Sequence, residues 1–139
     1  MSDRALRLCV GALAGAGLAV AGYLTYARYA GTPITCTTGG CEAVQESSYA
    51  TVAGLPVPVL GLIGYGLLAV TACSAEDLAR AAGAAVALAA FVFSAYLLYV
   101  QLAMIEAVCD WCVASDAIVT AIVPFAILRL RPAIPVSPQ

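Results

Sequence analysis

Apolar residues fill four stretches of this chain, and short polar or charged patches separate them. No formal charge falls between Leu8 and Ala27, between Ser47 and Ala75, or between Ala81 and Ile105. The fourth stretch, Trp111 to Leu128, holds one charge, Asp116. A membrane-spanning helix needs about 20 mostly apolar residues. The pattern therefore predicts spans at 8–27, 57–73, 80–104 and 111–129, within one domain covering 1–131. Residues 132–139 hold Pro132, Pro135 and Pro138 and read as a disordered tail. A basic start followed by an apolar run also suits a cleaved leader. The run here is long and ends in Tyr23, Tyr26 and Arg28, which suit an interfacial anchor, so it reads as a retained helix.

Arginines set the orientation. With four spans, Arg4, Arg7, Arg80, Arg129 and Arg131 share one side, and only Arg28 lies on the other. Positive charge favours the cytoplasmic side. The chain is thus expected in the plasma (inner) membrane with both termini cytoplasmic. Cys36, Cys41, Cys109 and Cys112 then fall on or near the outer face, where disulfides persist. The segment from Arg28 to Pro58 is the long outer loop. Within it, Cys41, Val44, Gln45 and Ser48 follow i, i+3, i+4, i+7 spacing, which predicts a short helix on the membrane face.

Composition narrows the chemistry. Hydrophobic residues make up 63% of the 139 residues and charged ones 10%, against about a quarter charged in soluble domains. There is no His, which excludes a Ser-His-Asp triad and any His-ligated metal. No basic cluster exists to bind nucleic acid. Sulfur is what remains, as six cysteines.

Cys109-Asp110-Trp111-Cys112 is a C-x-x-C placed where the fourth span begins. The first turn of a helix has unpaired N–H groups and a positive partial charge, which favours a thiolate. Glu106 and Asp110 bring opposing negative charge. Cys36 and Cys41 form a second pair, with Gly39 and Gly40 between them to let the chain turn tightly enough for a disulfide. Three readings of the two pairs stand side by side: a dithiol relay, a tetrathiolate zinc site, and two structural staples. Cys9 and Cys73 lie in apolar runs and read as small hydrophobes.

In order along the chain come Cys36 and Cys41, then Ser47, then Gly54-Leu55-Pro56-Val57-Pro58-Val59-Leu60-Gly61-Leu62-Ile63-Gly64-Tyr65, then Cys109 and Cys112 with Ser115. In these elements the chain resembles the vitamin K epoxide reductase family, in its bacterial, disulfide-forming branch. The resemblance runs from the first span to the fourth. It implies an all-α integral membrane protein, a four-helix bundle around a quinone, with a long extracytoplasmic loop carrying a short helix. Cys112 would lie nearest the quinone (ubiquinone or menaquinone) and Cys109 would be its partner. Cys41 would attack Cys109, and Cys36 would exchange with an external thioredoxin-fold protein. Ser47 would hydrogen-bond near the quinone or the active disulfide.

Many bacterial members carry a fifth helix and a fused thioredoxin-like domain. Neither is found in this sequence, so a separate thioredoxin-fold partner is expected. Animal members carry Tyr four residues after the second active cysteine, where this chain has Asp116. Vitamin K epoxide is therefore not implied as a substrate. Asp116 lies one helical turn below Cys112, which suits proton delivery to a quinone or a wet interfacial position. Ser115 and Asp116 join Ser47 and Cys112 as candidate quinone contacts. Phe91, Phe93, Tyr96 and Tyr99 could wall that site, or serve as packing and interfacial anchors. Gly11, Gly15, Gly17, Gly61 and Gly64 are expected where helices approach closely. A membrane scaffold with structural disulfides is the rival outside catalysis.

Overall fold

A computed structural model describes residues 1–131. The expected tail at 132–139 lies outside the described residues. The elements in chain order are α1 (Asp3–Ala30), α2 (Cys41–Glu46), β1 (Thr51–Val52), β2 (Leu55–Pro56), α3 (Val57–Ala72), α4 (Asp77–Tyr99) and α5 (Asp110–Leu128). A 3-10 turn at Ser48–Ala50 precedes β1, and a π-helical segment, Val100–Ile105, continues α4.

Local chemistry explains the boundaries. Ser2 caps α1 by accepting from the Ala5 amide at 3.2 Å. Gly31, at φ +66°, ends it in the left-handed conformation. β1 and β2 pair antiparallel, with Thr51 opposite Pro56 and Val52 opposite Leu55. Their two-residue turn needs positive φ at both positions, supplied by Ala53 (53°) and Gly54 (84°). This small hairpin turns the outer loop into α3, whose first turn accepts Pro58 without loss of a helical hydrogen bond.

The four long helices form a bundle in which α1 and α4 each pack against both α3 and α5. The core is built from Val10, Ala14, Tyr65, Leu68, Ala87 and Ile122 with their neighbours. In lipid, where no hydrophobic force drives helices together, small residues bring backbones close. Gly17 lies under the Tyr65 ring, where a Cβ would collide with it. A Cβ on Gly61 would lie 3.3 Å from Ala21, and one on Gly83 2.9 Å from the Thr71 hydroxyl. Gly15 and Gly64 depart from the expectation of close approach, because nothing lies within 4 Å of a Cβ built at either. Ile63, Leu67, Val70 and Val92 are exposed on the outside of the bundle.

Asp3–Ala30, Asp77–Ile105 and Asp110–Leu128 are each long and apolar enough to cross a membrane. α3 is a shorter apolar helix of 16 residues. Its rise of about 24 Å falls short of the hydrocarbon core of about 30 Å. Two arginines meet its C-terminal carbonyls. Arg7 donates to the Ala72 and Cys73 carbonyls at 2.8 and 2.5 Å. Arg129, 3% exposed, donates to Thr71 at 3.3 Å and to Ser74 at 2.8 Å. Cations at a helix C-terminus also suit its dipole. Asp3 lies 3.5 Å from Arg80 and 3.7 Å from Arg129, knitting α1, α4 and α5 at this end.

Candidate functional site

The opposite end of the bundle holds the cysteine pairs. α4 overshoots as a π-helix because Gln101 turns inward. Its main-chain carbonyl accepts from Ala107 at 3.1 Å, and Glu106 closes the turn at φ 56°. The Gln101 side-chain oxygen, buried with its residue 2% exposed, accepts from the Cys109 amide at 2.9 Å. Cys109 is thereby fixed as the N-cap of α5, and its sulfur accepts from the Cys112 amide at 3.3 Å. The hydrogen bond from the Cys112 thiol is the main cause that brings the Cys109 pKa down to about 7, against the opposing effect of burial. Helix-start amides add to it.

Cys36 and Cys41 form a disulfide with their Cα atoms 6.1 Å apart. Cys9, Cys73, Cys109 and Cys112 are free thiols. Cys41 and Cys109 are each 0% exposed and share one buried cluster with Val44, flanked by Ile34, Ile105 and Trp111. Cys36 stays partly accessible. Among the described residues, no group of three or more His, Cys, Asp or Glu is arranged to hold a metal ion.

A latch holds the outer loop on the start of α5. One Asp110 carboxylate oxygen accepts from the Thr37 amide at 2.7 Å, the Thr38 amide at 3.3 Å and the Thr37 hydroxyl. The Thr38 hydroxyl donates to the Val108 carbonyl, and the Trp111 indole to the Thr35 carbonyl, both at 2.7 Å. Tyr23 accepts from the Thr35 amide at 3.1 Å and packs against Trp111 in a tilted pair, with ring centroids 4.8 Å apart. The glycines do not leave this loop slack. Gly39 turns at φ +74°, and Gly40 abuts Val108, whose amide nitrogen would lie 2.8 Å from an added Cβ. With the outer disulfide formed, Cys41 is already packed in one buried cluster with Cys109.

Behind Cys112 lies a cavity of about 380 Å³. Its wall is mostly apolar, with Leu24, Leu68, Phe93 and Val119 among its residues. The polar groups are few. Gln45 donates to the Cys112 sulfur at 3.5 Å, and its own side-chain oxygen is buried without a partner. Asp116 accepts from the Ser94 hydroxyl at 2.5 Å through one oxygen, while the other is buried and unpaired. Tyr65 donates to the Ser115 carbonyl at 2.9 Å and lies 2.7 Å from its hydroxyl. Ser47 lines the cavity too, with its hydroxyl on the Val44 carbonyl at 2.7 Å. The structure thus gathers Cys112, Ser47, Ser115 and Asp116 around one space. Phe93 joins them, whereas Phe91, Tyr96 and Tyr99 are exposed.

Such an arrangement packs the two cysteine pairs together beside a mostly apolar cavity, which suits thiol–disulfide exchange between them. The profile of the vitamin K epoxide reductase family matches residues 8–127. The chain belongs to that family. It is also 48% identical over 56 residues to the thiol-disulfide oxidoreductase LTO1 of Arabidopsis thaliana. That match covers 39% of this chain and 14% of the relative, so the chain spans only a small part of that protein's length.

Four members of the site are not singled out by the sequence pattern. Gln101 and Ser94 lie within the third apolar run, which is marked by its lack of charges. An uncharged polar residue inside a span is the signal that points to them. Tyr65 stands in the sequence only as part of a family segment, and Gln45 only as part of a helix face. Their contacts with Ser115 and Cys112 join residues far apart in sequence.

Proposed function

We propose that this protein is a membrane thiol-disulfide oxidoreductase that oxidises a separate thioredoxin-fold dithiol protein and reduces a quinone. The observation that carries the reading is the burial of Cys41 against Cys109, with Cys36 accessible on one side and Cys112 facing the cavity on the other. α1, α3, α4 and α5 each cross the plasma membrane, with the arginine-rich end cytoplasmic and the cysteines outside. The gathering of Arg7, Arg80 and Arg129 at one end supports this orientation.

The partner's thiolate attacks Cys36 and opens the Cys36–Cys41 disulfide; the partner's second thiol then displaces Cys36, freeing its thiolate, and the partner leaves as a disulfide. The freed Cys41 thiolate attacks Cys109 of an oxidised Cys109–Cys112 pair, releasing the Cys112 thiolate. Cys36 then attacks Cys41, restoring the outer disulfide and releasing Cys109. A low pKa makes Cys109 a good leaving sulfur in that step. The state with the outer pair bonded and the inner pair reduced follows directly.

A quinone head group fits the cavity. The space is apolar apart from a few groups, and two buried oxygens, Gln45 Oε1 and Asp116 Oδ2, lack partners there. Ser47, Ser115 and Asp116 would hold it beside Cys112. When bound, it supplies a two-electron, two-proton acceptor that returns Cys109 and Cys112 to a disulfide. Asp116, braced by Ser94, holds a proton at its free oxygen for that acceptor. Asp116→Asn should then change the pH dependence of quinone reduction between pH 5 and 8, and an unaltered profile removes this role.

The deciding test is quinone absorbance while purified protein is mixed with a reduced thioredoxin-fold dithiol. Bleaching in the wild type, lost in Cys112→Ser, supports the reading. No bleaching with either quinone, while the Cys36–Cys41 disulfide stays intact, points to a scaffold with a structural disulfide.

A further inference from the structure

Gln45 is an amide in a place where the cavity needs nothing polar for packing. It is 9% exposed and lies on the six-residue helix α2. Two contacts fix it without using its side chain. Arg28 donates to its main-chain carbonyl at 2.6 Å. Cys41, one turn earlier on the same helix face, is buried beside Cys109. The side chain is then free to divide its two polar atoms. Its Nε2 donates to the Cys112 sulfur at 3.5 Å. Its Oε1 is buried and accepts nothing from the protein. Leaving a carbonyl unpaired in an apolar wall is costly unless something else completes it.

We propose that Gln45 is a catalytic residue of the inner pair, bridging Cys112 and the cavity's occupant through the two ends of its amide. The N–H end holds negative charge on the Cys112 sulfur when Cys41 displaces it from Cys109. A thiolate accepts such a bond more strongly than a thiol does. The carbonyl end accepts a hydroxyl hydrogen, which a hydroquinone carries and a quinone does not. Gln45 therefore favours the reduced form of the acceptor as the sulfurs become a disulfide. Electrons balance without a further reagent: two leave the two thiols as the S–S bond forms, and the quinone takes them with two protons. Because Cys41 and Gln45 share one short helix, the same element that packs Cys41 beside Cys109 also sets the amide on Cys112.

This inference rests on the proposed function, and its test separates the two. The full chain carrying Cys109→Ala, which leaves Cys112 as the one inner sulfur, is stripped of quinone and treated with N-ethylmaleimide at neutral pH. Labelling at Cys112 is followed by peptide mass, with the exposed thiol Cys73 at the far end of the bundle as the control. Gln45→Leu keeps the volume and removes both polar atoms, and Gln45→Met serves as a second variant if the first fails to fold. Losing one charge-assisted hydrogen bond should slow labelling of Cys112 about threefold. Labelling of Cys73 should not change. Equal labelling of Cys112 with Gln45 and with both replacements overturns the proposal, as does an equal change at Cys73, which marks a packing defect. With the quinone assay in hand, the KM for quinone should also rise in the variants. Failure of the wild type to reduce quinone overturns the function proposed above, whereas the labelling result judges Gln45 itself.

Discussion

The two ends of the bundle surround their buried polar groups differently. At the arginine end, Arg7 and Arg129 are committed to four main-chain carbonyls of the α3 terminus. Those contacts close off a helix that is short for its surroundings. The Nε atoms of Arg80 and Arg129 make no hydrogen bond there, but both guanidinium groups sit beside the Asp3 carboxylate, at 3.5 and 3.7 Å. At the cysteine end, Gln45 and Asp116 each satisfy one atom and leave another buried against the cavity with no charge partner. The first end is built to stay as it is. Open valences at the second leave room for a ligand and for sulfurs that change partners. Stability and chemistry are thereby separated along the membrane normal, and substitutions at the two ends should fail differently.

The largest effect should come from Cys109→Ser. It removes the sulfur that links the pairs, and dithiol oxidation should be lost entirely while the fold, judged by thermal unfolding, persists. Residual quinone reduction with a protein dithiol would break the proposed order. At the other end, Arg129→Met should destabilise by about 3 kcal/mol, because buried carbonyls lose their donors. Turnover per folded molecule should stay unchanged, and a specific loss of turnover would erase the contrast between the ends. Between them, Gly17→Ala drives a Cβ into the Tyr65 ring. It should cost about 1–3 kcal/mol, read as a lower melting temperature. Asp110→Ala frees the outer loop from three donors. Internal exchange should slow roughly fivefold, the scale of a modest hydrogen-bonding term, seen as slower recovery of the Cys36–Cys41 disulfide after a reducing pulse. Smallest is a pH effect. Cys109 is a thiol below its pKa of about 7 and a thiolate above it, so thiolate ultraviolet absorbance of the reduced protein should rise through that pH and then level off. Cys112→Ala removes the main cause and should move the rise to higher pH.

Much of this contrast was legible in the sequence, for reasons that differ by element. The long helices follow from uninterrupted apolar runs, because a lipid-facing helix must be apolar over its length. Cys41, Val44 and Gln45 fall on the buried face of α2, as their spacing requires, while Ser48 already belongs to the 3-10 turn. The start of α5 at the C-x-x-C is visible because the fourth apolar run begins at Trp111, directly after Cys109 and Asp110. Asp110, however, was read only as a charge opposing a thiolate. Its bonds to Thr37 and Thr38 span 73 and 72 residues and are invisible to any local pattern. The same holds for Tyr65 and Ser115, 50 residues apart. Glycines misled in part, since small residues mark close helix approach only where a partner faces them. Gly17 has one in Tyr65 and Gly15 has none.

The burial of Cys41 and Cys109 carries one more consequence. An electrical circuit with a bare conductor leaks to whatever touches it. Here the middle of the conductor is insulated: both central sulfurs have no exposed surface. A small thiol in the surrounding fluid can meet only the Cys36 terminal, and the far terminal opens toward lipid. Abundant low-molecular-weight thiols therefore have one point of entry, Cys36, and cannot bypass it to reach the middle of the conductor.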